Sequence, residues 1–180
     1  MGRLSTEEFF IPDTSASLVP ILNEILEFVS KTLADSPNPE KALFKVKIIV
    51  TELLNNALKH VKNSKTFIRV SVDDNNIHVI KQDIGTRLVI NDLYLCQKRA
   101  AGQKFQISND SLNSLYAIIE SECQLKFVCE ESTNNEIDYD NLMEHFGLLI
   151  ITKTANDFTY THNPETLLNT FDVLIERIKY

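Results

Sequence analysis

Apolar positions return along this chain with two periods, and the period decides each predicted element. Leu18, Ile21, Leu22, Ile25, Phe28, Val29 and Leu33 recur every three or four residues, which predicts a helix from Ser17 to Ala34. Asp35-Ser36-Pro37-Asn38-Pro39 breaks it, and Asn38 before Pro39 supplies a cap and first-turn pair for a second helix. Val46, Ile49, Val50, Leu53, Ala57 and Val61 form the stripe of that helix, which should end near Lys62 or Asn63. Glu7 to Pro12, ahead of both helices, predicts a short strand.

After the second helix the period changes to two. Ile68, Val70 and Val72 alternate with polar residues, Asp73-Asp74-Asn75-Asn76 signals a turn, and Ile77 to Gln82 alternates again, so a β-hairpin ending at Asp83 is expected. Arg87 to Asn91 predicts a further strand, whereas Asp92 to Ser108 carries no clear period. Ser111 to Glu120, with Leu112, Leu115, Tyr116 and Ile119, reads as a helix. Cys123 to Glu130 reads as a strand and Glu130 to Asp140 as a loop. A helix over Asp140 to Thr154 follows, and then apolar runs at Phe158 to Thr161 and through Phe171, Val173 and Ile175. Helices followed by a mostly antiparallel sheet predict an α+β fold, a two-layer sandwich with helices on one face. No linker or repeat divides residues 1–180, so a single domain is expected.

Composition narrows the function classes. A chain of 180 residues with 43% hydrophobic and 24% charged residues can bury a core without staples. The net charge of -7 and the lack of a basic patch argue against nucleic acid or an anionic membrane as partner. No run approaches the roughly 20 apolar residues of a membrane span, and Met1 to Phe10 lacks the basic start and apolar core of a leader; a cytoplasmic protein is expected. Cys96, Cys123 and Cys129 have no Cys-x-x-Cys spacing that would suggest zinc, and the last two fall in an alternating run, as buried strand residues would.

The chemistry concentrates in Thr51-Glu52-Leu53-Leu54-Asn55-Asn56-Ala57-Leu58-Lys59-His60. Glu52 and Asn56 are one helical turn apart, and Lys59 and His60 come round on the next turn, beside the apolar stripe. Mg2+ takes oxygen ligands and keeps several waters, so an Asn oxygen with ligand phosphates can hold it. A carboxylate one turn away could polarise an attacking hydroxyl or water. The same pattern also describes an ordinary amphipathic helix with a wet face.

Two further segments supply context. Val79-Ile80-Lys81-Gln82-Asp83-Ile84-Gly85 ends a strand on an aspartate and a glycine, and Gly147-Leu148-Leu149-Ile150-Ile151-Thr152-Lys153-Thr154 opens an apolar run that reaches Phe158 and Tyr160. In order and spacing the three segments resemble the GHKL (histidine-kinase-like) ATPases, the superfamily of gyrase B subunits and sensor histidine kinases, and in particular the small bacterial anti-sigma-factor serine/threonine kinases. The resemblance implies the Bergerat-type two-layer sandwich, with a mixed, mostly antiparallel sheet. It implies ATP and Mg2+ as ligands, Glu52 as general base, Asn56 on the metal, Asp83 on the adenine amino group, and Gly85 and Gly147 close to the nucleotide. Lys59 and His60 would assist at the phosphates; Arg87 and His145, which stand where the family has glycines, could supply side-chain cations there in place of backbone amides. An aspartate suits adenine because it only accepts hydrogen bonds. The implied partners are an anti-anti-sigma or sigma factor, and a homodimer.

The chain departs from that family at the glycines. Arg87 replaces the second glycine of the first box, Glu144, His145 and Phe146 stand where further glycines precede Gly147, and the chain holds four glycines in all, Gly2, Gly85, Gly102 and Gly147. Bulky residues forfeit the close backbone approach that a phosphate cradle requires. Two functions follow from the resemblance: an ATP-binding regulatory serine kinase, or a catalytically inactive pseudo-enzyme of the same fold that regulates through a protein interface. The long segment 87–145 would then be a rearranged lid or partner surface.

Overall fold

The computed structural model describes residues 4–12, 18–34, 36–60, 65–90, 93–94, 100–132 and 139–177. The first strand, β1, is Ser5–Ile11, and two helices follow, α1 over Leu18–Thr32 and α2 over Pro39–His60. Pro39 sits at the first position of α2, where its missing N–H costs nothing, and Asn38 before it takes a left-handed φ of 51°. The expected last residues of this helix, Val61 to Asn63, lie outside the described residues.

The hairpin forms where the alternation predicts it: β2, Thr66–Val72, pairs antiparallel with β3, Asn76–Ile84, and Val72 stands opposite Ile77. Asp73 closes the turn by accepting the amides of Asn75 and Asn76 at 2.7 and 2.8 Å. Two short strands, β4 (Val89–Ile90) and β5 (Leu93–Tyr94), pair only with each other. The remaining strands are β6 (Lys104–Asn109), β7 (Asn113–Ser121), β8 (Gln124–Glu131), β9 (Asp157–Asn163) and β10 (Leu168–Glu176), with α3 (Tyr139–Thr154) between β8 and β9.

Eight strands form one sheet in the order β1-β2-β3-β10-β9-β8-β7-β6. Every pairing among the described strands is antiparallel, where the resemblance implies a mixed sheet. The result is an α+β fold whose core runs between the helices and alternate residues of the strands. Ile25 and Val29 of α1, Ile49 and Leu53 of α2, and Leu149 and Ile151 of α3 meet Ile68, Val79, Leu115, Phe158 and Val173 of the sheet.

Two expectations need correction. Ser111 to Glu120 is not a helix: Leu112 sits 71% exposed in a turn, and β7 buries Leu115, Ala117 and Ile119 on one face. Together with β6 and β8 it makes residues 104–131 of the 87–145 segment mostly sheet, and the expected loop residues 133–138 lie outside the described part. Cys123 and Cys129 are half-buried, not buried; Cys123 is disulfide-bonded, and burial pushes the free Cys129 thiol up. Among the described residues no helix is long and apolar enough to cross a membrane.

Candidate functional site

Helix α2 turns its buried stripe to the sheet and its Glu52–Asn56 edge to α3. A Cβ built on Gly147 would lie 2.9 Å from Glu52 Oε2 and 3.4 Å from Asn56 Oδ1. The structure therefore brings Glu52, Asn56 and Gly147 together. Gly147, however, falls in the middle of α3 and not at a helix start. Its amide is committed to a helical ladder, so the free N–H groups that make helix N-termini bind anions are not offered at this point. The missing side chain instead lets the α3 backbone close onto the Glu52 carboxylate.

Asp83 lies at the far end of β3. In a strand, residues two apart share a face, so Ile77, Val79, Lys81 and Asp83 all point inward and all are buried. Lys81 is thereby placed against Asp83: Nζ stands 2.6 Å from Oδ2, with both side chains under 5% exposed. The other carboxylate oxygen, Oδ1, accepts from Asn169 Nδ2 at 2.9 Å, Asn169 being the residue directly opposite on β10. Burial pushes the Lys81 ammonium below the ordinary lysine value, an effect that the Asp83 charge and hydrogen bond only partly oppose.

The network extends beyond this pair. Asn169 Oδ1 accepts from the Tyr160 hydroxyl at 2.6 Å and lies 2.9 Å from His162 Nδ1, while its Nδ2 also reaches the Thr86 carbonyl at 3.1 Å. Tyr160 in turn accepts the Leu88 amide at 2.7 Å. Burial pushes the Tyr160 phenol up to about 12. These bonds fasten the segment after β3 onto β9 and β10. Gly85 stands beside the network, with a Cβ on it 3.8 Å from both Asp83 Oδ1 and Asn169 Nδ2.

The other expected residues are more dispersed. Arg87 is half-buried, close enough to Tyr160 for its charge to act on the phenol, and Lys59 is exposed. The His60 side chain lies outside the described part. His145 is 7% exposed. Among the described residues no group of three His, Cys, Asp or Glu is placed to hold a metal ion. Asn56 is the single side chain expected on Mg2+, and its oxygen faces the α3 backbone.

The sequence reading missed Lys81, Asn169, Tyr160 and His162 as members of the Asp83 environment. One signal was present: any strand that sends Asp83 inward sends Lys81 inward too. The partnership with β10 had no local signal, because it depends on a pairing across the sheet. No protein-family model matches this chain, and no curated protein matches it.

Proposed function

We propose that this chain is a regulator built on the histidine-kinase-like ATPase plan, acting through a protein interface and turning over no nucleotide. The observation that carries this reading is the engagement of Asp83. A carboxylate that selects adenine must present an open oxygen to the exocyclic amino group. Here Lys81 takes one oxygen, Asn169 takes the other, and the residue is 3% exposed. The approach of α3 to Glu52 and Asn56 supports the same reading at the catalytic end, since a metal and phosphates would need the space that the Gly147 backbone occupies. The α+β sheet with helices packed on it is compatible with the Bergerat-type two-layer sandwich. A cytoplasmic bacterial regulator, dimeric and bound to a sigma or anti-anti-sigma factor, is the setting that the resemblance supplies.

The second reading is the ATP- and Mg2+-dependent serine kinase, with Glu52 as base, Asn56 on the metal and Asp83 on adenine. It is favoured by the convergence of the Glu52 and Asn56 oxygens on one point. A thermal-unfolding scan with and without Mg2+-ATP separates the two. A ligand present at about 100 times its dissociation constant adds about 2.7 kcal/mol, or roughly 5 to 10 °C for a domain of this size. The expected result is no shift at millimolar Mg2+-ATP. A shift that disappears in Asp83→Asn would overturn the closed-pocket reading on which the proposal rests and make a serine-kinase assay the next test.

A further inference from the structure

The buried side chains of Lys81, Asp83, Tyr160, His162 and Asn169 are arranged more specifically than an ion pair requires. Lys81 and Asp83 point inward from β3, and opposite them on β10 stand Phe171 and Asn169. Diagonal neighbours on one face of an antiparallel pair lie within reach of long side chains, which places Lys81 beside Asn169. The Asp83 carboxylate spans the two: Oδ2 is 2.6 Å from Lys81 Nζ, and Oδ1 accepts from Asn169 Nδ2 at 2.9 Å.

The partners of the Asn169 amide fix its orientation. Its nitrogen faces two acceptors, Asp83 Oδ1 and the Thr86 carbonyl, while its oxygen faces the Tyr160 hydroxyl at 2.6 Å and His162 Nδ1 at 2.9 Å. An amide oxygen only accepts, so Nδ1 carries a proton and both groups donate. Burial pushes the Tyr160 phenol up to about 12, which keeps its proton in place. Two donors on one carbonyl oxygen draw electrons from Cγ and stabilise negative charge as it develops on that oxygen. Beside this amide lies a lysine whose charged form is disfavoured by burial, with Nζ 4.8 Å from the centre of the Phe171 ring.

Nucleophile, electrophile, oxyanion donors and a carboxylate between the two reacting groups are thus assembled on adjacent strands. We propose that Lys81 and Asn169 join as an intramolecular amide, a covalent cross-link between β3 and β10 that the folded chain forms on itself with Asp83 as acid and base. One proton passes from Nζ to Asp83 Oδ2, which frees the electron pair of the amine. The Nζ–Cγ bond forms as the carbonyl pair moves to Asn169 Oδ1, held by Tyr160 and His162. Asp83 then gives its proton to Nδ2, the Cγ–Nδ2 bond breaks with its electron pair on nitrogen, and Asp83 takes a second proton from Nζ. The products are one secondary amide, one ammonia and a neutral Asp83 acid, so no oxidant or co-reactant is consumed. Thr86, whose carbonyl holds the leaving nitrogen, is exposed, which gives the ammonia a way out. The cross-link rests on neither reading of Glu52 and Asp83 towards a nucleotide.

The test is the intact mass of the full chain, purified folded and then denatured and reduced. The expected mass is that of the sequence less one ammonia, and proteolysis should yield two peptides joined through Lys81 and Asn169. Lys81→Met and Asp83→Asn should each show the full mass of their own sequence, the second while keeping both reacting residues. A native chain at its full sequence mass overturns the proposal, and this measurement decides even if a variant fails to fold. Loss of ammonia confined to a single peptide, which is an asparagine closing on its own backbone, overturns it as well, as does the same loss in Lys81→Met or a loss of water that joins Lys81 to Asp83.

Discussion

At Gly147 two opposing effects can be weighed. Glycine inside a helix costs about 1 kcal/mol relative to alanine. An added methyl would press to 2.9 Å on Glu52 Oε2, the mobile end of a long side chain, with the Asn56 amide next at 3.4 Å. Gly147→Ala should therefore change stability by less than about 1 kcal/mol, because Glu52 swings aside. In a Glu52→Ala background the same change should stabilise by about 1 kcal/mol. Gly147→Leu cannot be accommodated so easily and should cost about 1 to 3 kcal/mol. Urea unfolding of the four variants measures all of these, and equal effects of Gly147→Ala in both backgrounds would refute the contact. The Lys81–Asp83 pair permits a second cycle. Lys81→Met leaves a buried carboxylate without its cation and should cost about 3 to 5 kcal/mol, whereas Lys81→Met/Asp83→Leu should recover most of that loss. Asn169 keeps the Thr86 carbonyl as a partner in the double variant. The residues of this site were legible as types in the sequence, but their condition was not. Composition cannot show that an aspartate has already been claimed by its neighbours.

The elements were more legible than the site wherever one period dominated. α1, α2, α3 and the β2–β3 hairpin lie close to where the apolar spacing predicts them. β7 was misread because Leu115 and Ile119 are four apart, a spacing that fits a helix turn and also two steps of a strand. Ala117 between them is the residue that decides, and it is too small to weigh heavily in a count of apolar positions. Two hairpins are closed by the same device: Asp73 accepts two amides after β2, and Asp110 accepts the Leu112 and Asn113 amides at 2.7 and 2.6 Å after β6. The Asn75 amide is the main cause holding Asp73 below the usual carboxylate range, with burial opposing it. At Asp110 burial acts to raise the value, and the Leu112 amide and the Asn113 groups together outweigh it. In both cases the folded chain stays ionised where the unfolded chain takes up a proton. The stabilisation is therefore complete above the ordinary carboxylate value and is lost as pH falls through the lowered folded value. Asp73→Ala and Asp110→Ala should each cost about 1 kcal/mol at neutral pH, the low end because both face water, and the deficit should shrink as the solution is acidified. A deficit independent of pH would show that the charge is not involved.

At the scale of the whole molecule, the strand order could not be read from the sequence. Periodicity identifies strands one at a time and says nothing of which strands become neighbours across the sheet. The α+β class survived that ignorance because it depends only on the elements present. The order nevertheless fixes how the molecule is assembled. β1, β2 and β3 form one block, β6 to β9 form another, and β10 lies between them, nine of its residues paired with β3 on one side and seven with β9 on the other. During synthesis both blocks emerge before the strand that joins them, each with an unpaired edge towards the gap. A nascent chain stopped between Asn163, the end of β9, and Leu168 holds two incomplete sheets with exposed backbone, which invites pairing with other chains. The last described strand to leave the ribosome is thus the seam of the sheet, and its arrival is the event that converts two open-edged blocks into one.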